Sequence, residues 1–170
     1  MKNFNLLKAL STLVLAIYGI VIAQDPSDYG FLDRVDLVAH EAGHMLFSWF
    51  GRFMMLIGGT LGQLLVPAAF TVYFWFRNER FSSAVTLFWT GQNFFNISVY
   101  VKDAQAMMLP LVSVGGGDAI HDWNYLLTKF GLLRHDQAVG SVMYAIGVLL
   151  IIASVILGGY FSINREEESG

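Results

Sequence analysis

The chain contains no cysteine. That excludes disulfides, thiolate metal ligands and a cysteine nucleophile. Metal chemistry would have to use histidine and carboxylates, and there are only four histidines: His40, His44, His121 and His135. Charge is also scarce. Asp, Glu, Lys and Arg make up 14% of the 170 residues, against about 25% in soluble domains. The net charge is −3 and no basic stripe is present, which argues against a nucleic-acid partner. Repeats and low-complexity linkers are missing, and no polar stretch is long enough to fold as a regulatory domain of its own.

What the chain does have is apolar sequence. Hydrophobic residues make up 55% of it, and the mean hydropathy is +0.55. Charges are absent from 9–24, 53–76, 81–101 and 137–164, each long enough or nearly so to span hydrocarbon. The expected fold is all-α: a polytopic membrane helical bundle of about 4–5 spans, with a re-entrant or broken segment near 104–120. Residues 1–23 have a basic start and an apolar run ending in Val21-Ile22-Ala23, which fits a signal peptide or a first transmembrane helix equally well. An acidic loop, Gln24–Asp36, is expected to follow outside the membrane, with Asp25, Asp28, Asp33 and Asp36 set against Arg34.

The remaining helices are expected at about 36–57, from Gly58-Gly59-Thr60-Leu61-Gly62 to Phe76, at 81–101 and at 138–162. A short amphipathic helix should carry Trp123, Leu126, Leu127 and Phe130. Residues 24–165 are expected to form a single membrane-embedded domain, a metallo-domain if its histidines bind an ion, and 166–170 an acidic tail. Gly58 and Gly62 suit close helix packing. Thr90, Gln92, Asn93 and Asn96 read foremost as interhelical hydrogen-bonding groups.

His40-Glu41-Ala42-Gly43-His44 lies within an apolar stretch, Val35–Gly51. Two histidines four residues apart lie one turn apart on one helix face. Both imidazoles can then reach one divalent ion, typically Zn²⁺. Glu41 is placed to act as general base toward a water that the ion activates. Ionisable groups in apolar sequence are costly unless paired, which argues for a function.

A second constellation follows Gly115-Gly116-Gly117: Asp118, His121 and Asp122. If helical, they share one face. A catalytic zinc needs three protein ligands and an open position, so one of these three is the natural third ligand. His121 suits by ligand chemistry, either Asp by charge balance. The alternative is that Asp118 caps a helix while His121 and Asp122 lie in interfacial water. His135-Asp136 reads as a solvated turn. If the site is real, the 104–117 segment must return to the depth of His40, whatever the overall orientation.

On these residues the chain resembles the site-2 protease family of intramembrane metalloproteases. The likeness covers roughly 36–134: the His40-Glu41-x-x-His44 motif in an apolar helix, a glycine-containing helix after it, and a distal acidic motif before another helix. Where that family has Asn-Pro … Leu-Asp-Gly, this chain has Leu109-Pro110, then the glycines with Asp118, and His121-Asp122-Trp123. The resemblance implies Asp122 as third zinc ligand, with His121 or Asp118 as substitutes. It implies peptide-bond hydrolysis in or at the edge of the bilayer, with Glu41 as base and Asn93 or Asn96 beside the oxyanion. The expected partners are membrane lipid and a transmembrane protein substrate, and a homo-oligomer or accessory membrane partner stays open.

Other classes compete. A lipid or amide hydrolase could use the same zinc chemistry. A di-metal oxidase needs more ligands than the chain offers. A transporter should show paired broken helices in two halves, and only one broken segment is evident. A non-enzymatic metal-binding scaffold needs the histidines but not Glu41.

Overall fold

The computed structural model describes residues 4–111 and 120–163, which hold helices and no strand. Six helices follow one another: α1 (Leu6–Gln24), α2 (Phe31–Phe47), α3 (Arg52–Phe76), α4 (Arg80–Lys102), α5 (Asp122–Lys129) and α6 (Asp136–Ile163). Asp118 and most of the glycine-rich segment lie outside the described residues, as does the acidic tail. The segment read as signal peptide or first span is α1. It packs along α6, where the Tyr144 hydroxyl donates to the Ala23 carbonyl (2.9 Å).

Among the described residues, three helical segments have the length and apolarity to cross a bilayer: Leu6–Gln24, Arg52–Phe76 and Leu133–Ile163. This is fewer than the four or five expected. The physical reason is polarity along the other two long helices. The α2 helix carries Asp33, Arg34, Asp36, His40, Glu41 and His44, and α4 carries Ser82, Ser83, Thr86, Thr90, Gln92, Asn93, Asn96 and Ser98. Large apolar side chains such as Val14, Val72, Leu149 and Ile156 are exposed on the outward faces of α1, α3 and α6.

The α4 helix is the centre of the fold, and small residues bring α6 against it. Gly140, Gly147 and Ser154 recur every seven residues of α6, which keeps them on one face. A Cβ on Gly147 would come within 2.9 Å of the Gly91 carbonyl oxygen, and one on Gly140 within 2.9 Å of the Ser98 carbonyl oxygen. Ser154 donates to the Ala84 carbonyl (2.7 Å). Such small residues let backbones approach where no hydrophobic driving force exists between helices. Phe88, Phe95 and Ile151 form one buried cluster in this seam, and Ile97, Val101, Ala104 and Leu127 form a second nearer the end of α4.

The α2–α3 pair is closer still. A Cβ on Gly43 would fall 2.1 Å from the Gly58 carbonyl oxygen, and one on Gly62 would fall 2.6 Å from the Ala39 carbonyl oxygen. Gly58 and Gly62 are therefore packing residues inside α3. They do not interrupt a helix. The break lies earlier, where α2 ends in a tight turn, Ser48–Phe50, and Gly51 reverses the chain with a φ of 90°. Glycine takes that left-handed conformation without the Cβ penalty.

The acidic loop is shorter than expected. Helix α2 starts at Phe31, capped as the Asp33 carboxylate accepts from the Gly30 N–H (2.8 Å). Asp33 and Asp36 are thus buried inside the helix. Asp136 is also not solvated. It is buried at the start of α6 and accepts from the Gln105 side-chain amide (2.8 Å) and the Gln137 N–H (2.7 Å). His135 beside it is exposed.

Candidate metal centre

His40 and His44 lie one turn apart on α2, and their rings meet edge to face with centroids 4.6 Å apart. Both face α3, where Gly59 leaves them room. A Cβ on Gly59 would come within 2.5 Å of His40 Nε2 and 2.7 Å of His44 Cε1. The third member arrives from α5. Asp122 is its first residue, and its Oδ2 lies 3.0 Å from His40 Nε2 and 3.2 Å from His44 Nε2. One ligand atom from each of the three residues lies within 4.8 Å of the others, and this group could hold a metal ion.

The partners of the far ring nitrogens decide what faces Asp122. His44 Nδ1 lies 2.7 Å from the Met55 carbonyl oxygen. A carbonyl only accepts, so Nδ1 carries the hydrogen, and in the neutral ring Nε2 keeps the lone pair. His40 Nδ1 lies 2.7 Å from Gln63 Oε1, again an acceptor, and gives the same tautomer. Two lone pairs and a carboxylate oxygen thus converge on one point. Such an arrangement repels itself unless a cation or protons occupy it. It matches the His–carbonyl second shell that orients ligating imidazoles.

The α4 helix supplies Tyr100. Its hydroxyl accepts from the Asp122 N–H (3.1 Å) and donates to Asp122 Oδ2 at a long 3.4 Å. The His40 and Tyr100 rings pack at 5.9 Å. Sequence reading passed over Tyr100. The available signal was its position on the face of α4 that carries Asn93 and Asn96.

His121, one of the three candidates for third ligand, stands outside the His40, His44 and Asp122 group. The α5 helix begins at Asp122, so His121 precedes the helix that was expected to carry both, and Asp118 lies outside the described residues. His121 is the N-cap: its Nδ1 accepts from the Asn124 N–H (3.2 Å), and its Nε2 points to Asp103 Oδ2 (3.3 Å). Its single neutral-form lone pair is used by the cap. Burial pushes the imidazole below the usual histidine range, against the opposing pull of Asp103. Asp103 also accepts from the Met108 and Leu109 N–H groups (2.9 and 3.0 Å). The Asp103–His121 contact therefore ties the chain leaving α4 to the chain entering α5.

A cavity of about 450 Å³ opens onto the three residues. Glu41 lines it, as do Leu37, Val99, Leu109, Leu111 and Ile120. Residues 109–111 thus line the same cavity as His40. Asn96 lines the cavity, whereas Asn93 is wholly buried behind it. Asn93 donates to Asp36, so the expected place beside an oxyanion does not suit it.

Comparison with family models, with curated proteins and with solved structures returns no match.

Proposed function

We propose that this chain is a multi-pass membrane metalloprotease that hydrolyses peptide bonds of membrane-embedded substrates. The observation that carries the reading is the convergence of His40 Nε2, His44 Nε2 and Asp122 Oδ2 beside Glu41 in a largely apolar cavity. Two imidazoles and one carboxylate are the donor set of a catalytic zinc site with an open position. The three apolar segments would supply membrane spans, and α2 and α4, which pack against them, would bring the number of membrane-embedded long helices to five.

His40, His44 and Asp122 would hold the ion, which when bound supplies Lewis acidity for hydrolysis. Glu41 takes a proton from the attacking water as its oxygen bonds to the carbonyl carbon. As the carbon–nitrogen bond breaks, Glu41 returns that proton to the leaving amine. The Tyr100 hydroxyl is held beside Asp122 and is placed to orient it. The apolar walls limit water to the reacting end and favour an apolar, extended substrate over helix, because helical carbonyls are already hydrogen-bonded.

The same walls would admit an acyl chain, so a lipid or amide hydrolase is the second reading. The test is Glu41→Gln in detergent-purified protein, assayed on transmembrane-peptide and lipid-amide substrates with metal content measured in parallel. The proposal expects peptide cleavage by wild type and a loss of roughly 10²–10⁴-fold in Glu41→Gln, with metal retained. Cleavage of the lipid amide alone would move the substrate class. Turnover unaffected by Glu41→Gln would contradict the mechanism. No turnover of either substrate by metal-loaded wild type would favour a non-enzymatic scaffold.

A further inference from the structure

A branched chain of amides connects His40 to two buried carboxylates. The His40 Nδ1–H donates to Gln63 Oε1 (2.7 Å). Gln63 Nε2 donates to Asn93 Oδ1 (3.1 Å) and to Asn96 Oδ1 (3.2 Å). Asn93 Nδ2 donates to Asp36 Oδ1 (2.9 Å), and Asn96 Nδ2 donates to Asp33 Oδ1 (3.0 Å). Trp89 Nε1 and Gln92 Nε2 add further donors, to Asp36 (2.8 Å) and Asp33 (2.9 Å). His40, Gln63, Asn93, Asp33 and Asp36 are all buried.

The direction of every bond follows from the two ends. A carboxylate accepts only, so Asn93 and Asn96 must turn their NH₂ groups to Asp36 and Asp33. Their oxygens then face α3, and Gln63 must present its NH₂ to both. Its oxygen is left for His40, which must carry its hydrogen on Nδ1. The other imidazole nitrogen, Nε2, is left as the lone-pair donor toward Asp122. Reversing any one amide would set oxygen against oxygen or N–H against N–H somewhere in the chain.

We infer that Asp33 and Asp36 are positioning residues for the metal centre, acting through Asn93, Asn96 and Gln63 to set the tautomer and donor strength of His40. The inference rests on the metal reading proposed above. Neither Asp touches the cavity or the ion-binding atoms. Their negative charge polarises each amide in turn, and hydrogen bonds in low dielectric strengthen one another along such chains. The result is a more basic Nε2, the effect a carboxylate has when it contacts a ligating histidine directly. Here the carboxylates lie on the same helix as His40, one and two turns before it, and the path to them leaves α2 through two amides on each branch, Gln63 of α3 and then Asn93 or Asn96 of α4. A purely structural layer would need hydrogen bonds but would not need charge at its end.

Asp36→Asn separates charge from hydrogen bonding. Its Oδ1 still accepts from Trp89 and Asn93, and the new NH₂ replaces Oδ2, which is buried without a partner among the described residues. The experiment measures Zn²⁺ affinity by chelator competition, and the ligand-field bands of the Co²⁺-loaded protein, on the full chain in detergent. Asp36→Asn, Asp33→Asn, Gln63→Leu and Gln63→Leu/Asp36→Asn are compared with wild type. The expected result is a roughly tenfold loss of affinity and shifted Co²⁺ bands in Asp36→Asn, and a loss of roughly 10–100-fold in Gln63→Leu. Adding Asp36→Asn to Gln63→Leu should cost little more, since the chain is already cut. Unchanged affinity and bands in a folded Asp36→Asn protein would overturn the relay while leaving the metal centre standing. An Asp36→Asn effect that persists in full on the Gln63→Leu background would also overturn it. Wild type that binds no metal would remove the metal reading and the relay with it. If Asp33→Asn does not fold, Asp36→Asn alone decides the matter.

Discussion

Gly59 lies against His40 so closely that a methyl group on its Cα would stand 2.5 Å from His40 Nε2. The ligand-bearing helix α2 and its neighbour α3 therefore share one packing solution with the site. A helix-stabilising change should harm it. Gly59→Ala is expected to force both imidazoles aside at a cost of about 1–3 kcal/mol, the usual range for overpacking. Metal affinity, measured by chelator competition, should fall further than thermal stability does. Wild-type affinity in Gly59→Ala would mean that the histidines have other room to take.

The two residues at the start of α5 should separate cleanly. Asp122→Asn removes the charged member of the three-residue group and should abolish stoichiometric metal. His121→Ala removes an N-cap, worth about 1 kcal/mol, and should keep the metal at reduced stability. Elemental analysis and thermal unfolding of both variants check this. Loss of metal in His121→Ala with retention in Asp122→Asn would reverse the assignment.

Tyr100→Phe tests the link between α4 and α5. Its hydroxyl is held by the Asp122 N–H at 3.1 Å. Removing it leaves that N–H without its acceptor, at a cost of about 1–3 kcal/mol if water does not replace it. Zn²⁺ affinity should fall by roughly tenfold, the lower end of what second-shell partners contribute. Competition titration that finds no change would show that Asp122 is fixed by the cap alone.

Helix packing gives a prediction independent of any metal. A Cβ on Gly43 meets the Gly58 carbonyl oxygen at 2.1 Å, whereas one on Gly159 has nothing within 4 Å. Gly43→Ala should destabilise the metal-free protein by about 3 kcal/mol or more, beyond ordinary overpacking because the obstacle is backbone. Gly159→Ala should be neutral or stabilising by up to about 1 kcal/mol. Thermal unfolding of the two variants in the same detergent measures the difference.

The parts of this molecule that were legible in sequence are those governed by local spacing. The His40–His44 pair announces itself because i and i+4 share a helix face. The long charge-free runs mark α1, α3, α4 and α6 to within a few residues at most of their ends. Gly58 and Gly62 announced close packing but also suggested a helix break that is absent. The break belongs to Gly51, whose left-handed φ leaves no mark in composition. Asp33 and Asp36 looked like loop residues because their partners Trp89, Gln92, Asn93 and Asn96 lie more than fifty positions later. His121 looked like a ligand by chemistry alone. Only the observed start of α5 shows that its lone pair is spent on Asn124.

The most direct test of the account is the metal content of the detergent-purified full chain, with His44→Ala and Asp122→Asn beside wild type. The account predicts about one zinc per wild-type chain, and loss of it in both variants while circular dichroism keeps the helical signal. A folded wild-type protein without stoichiometric metal, after incubation with excess Zn²⁺ and removal of the free ion, would contradict it.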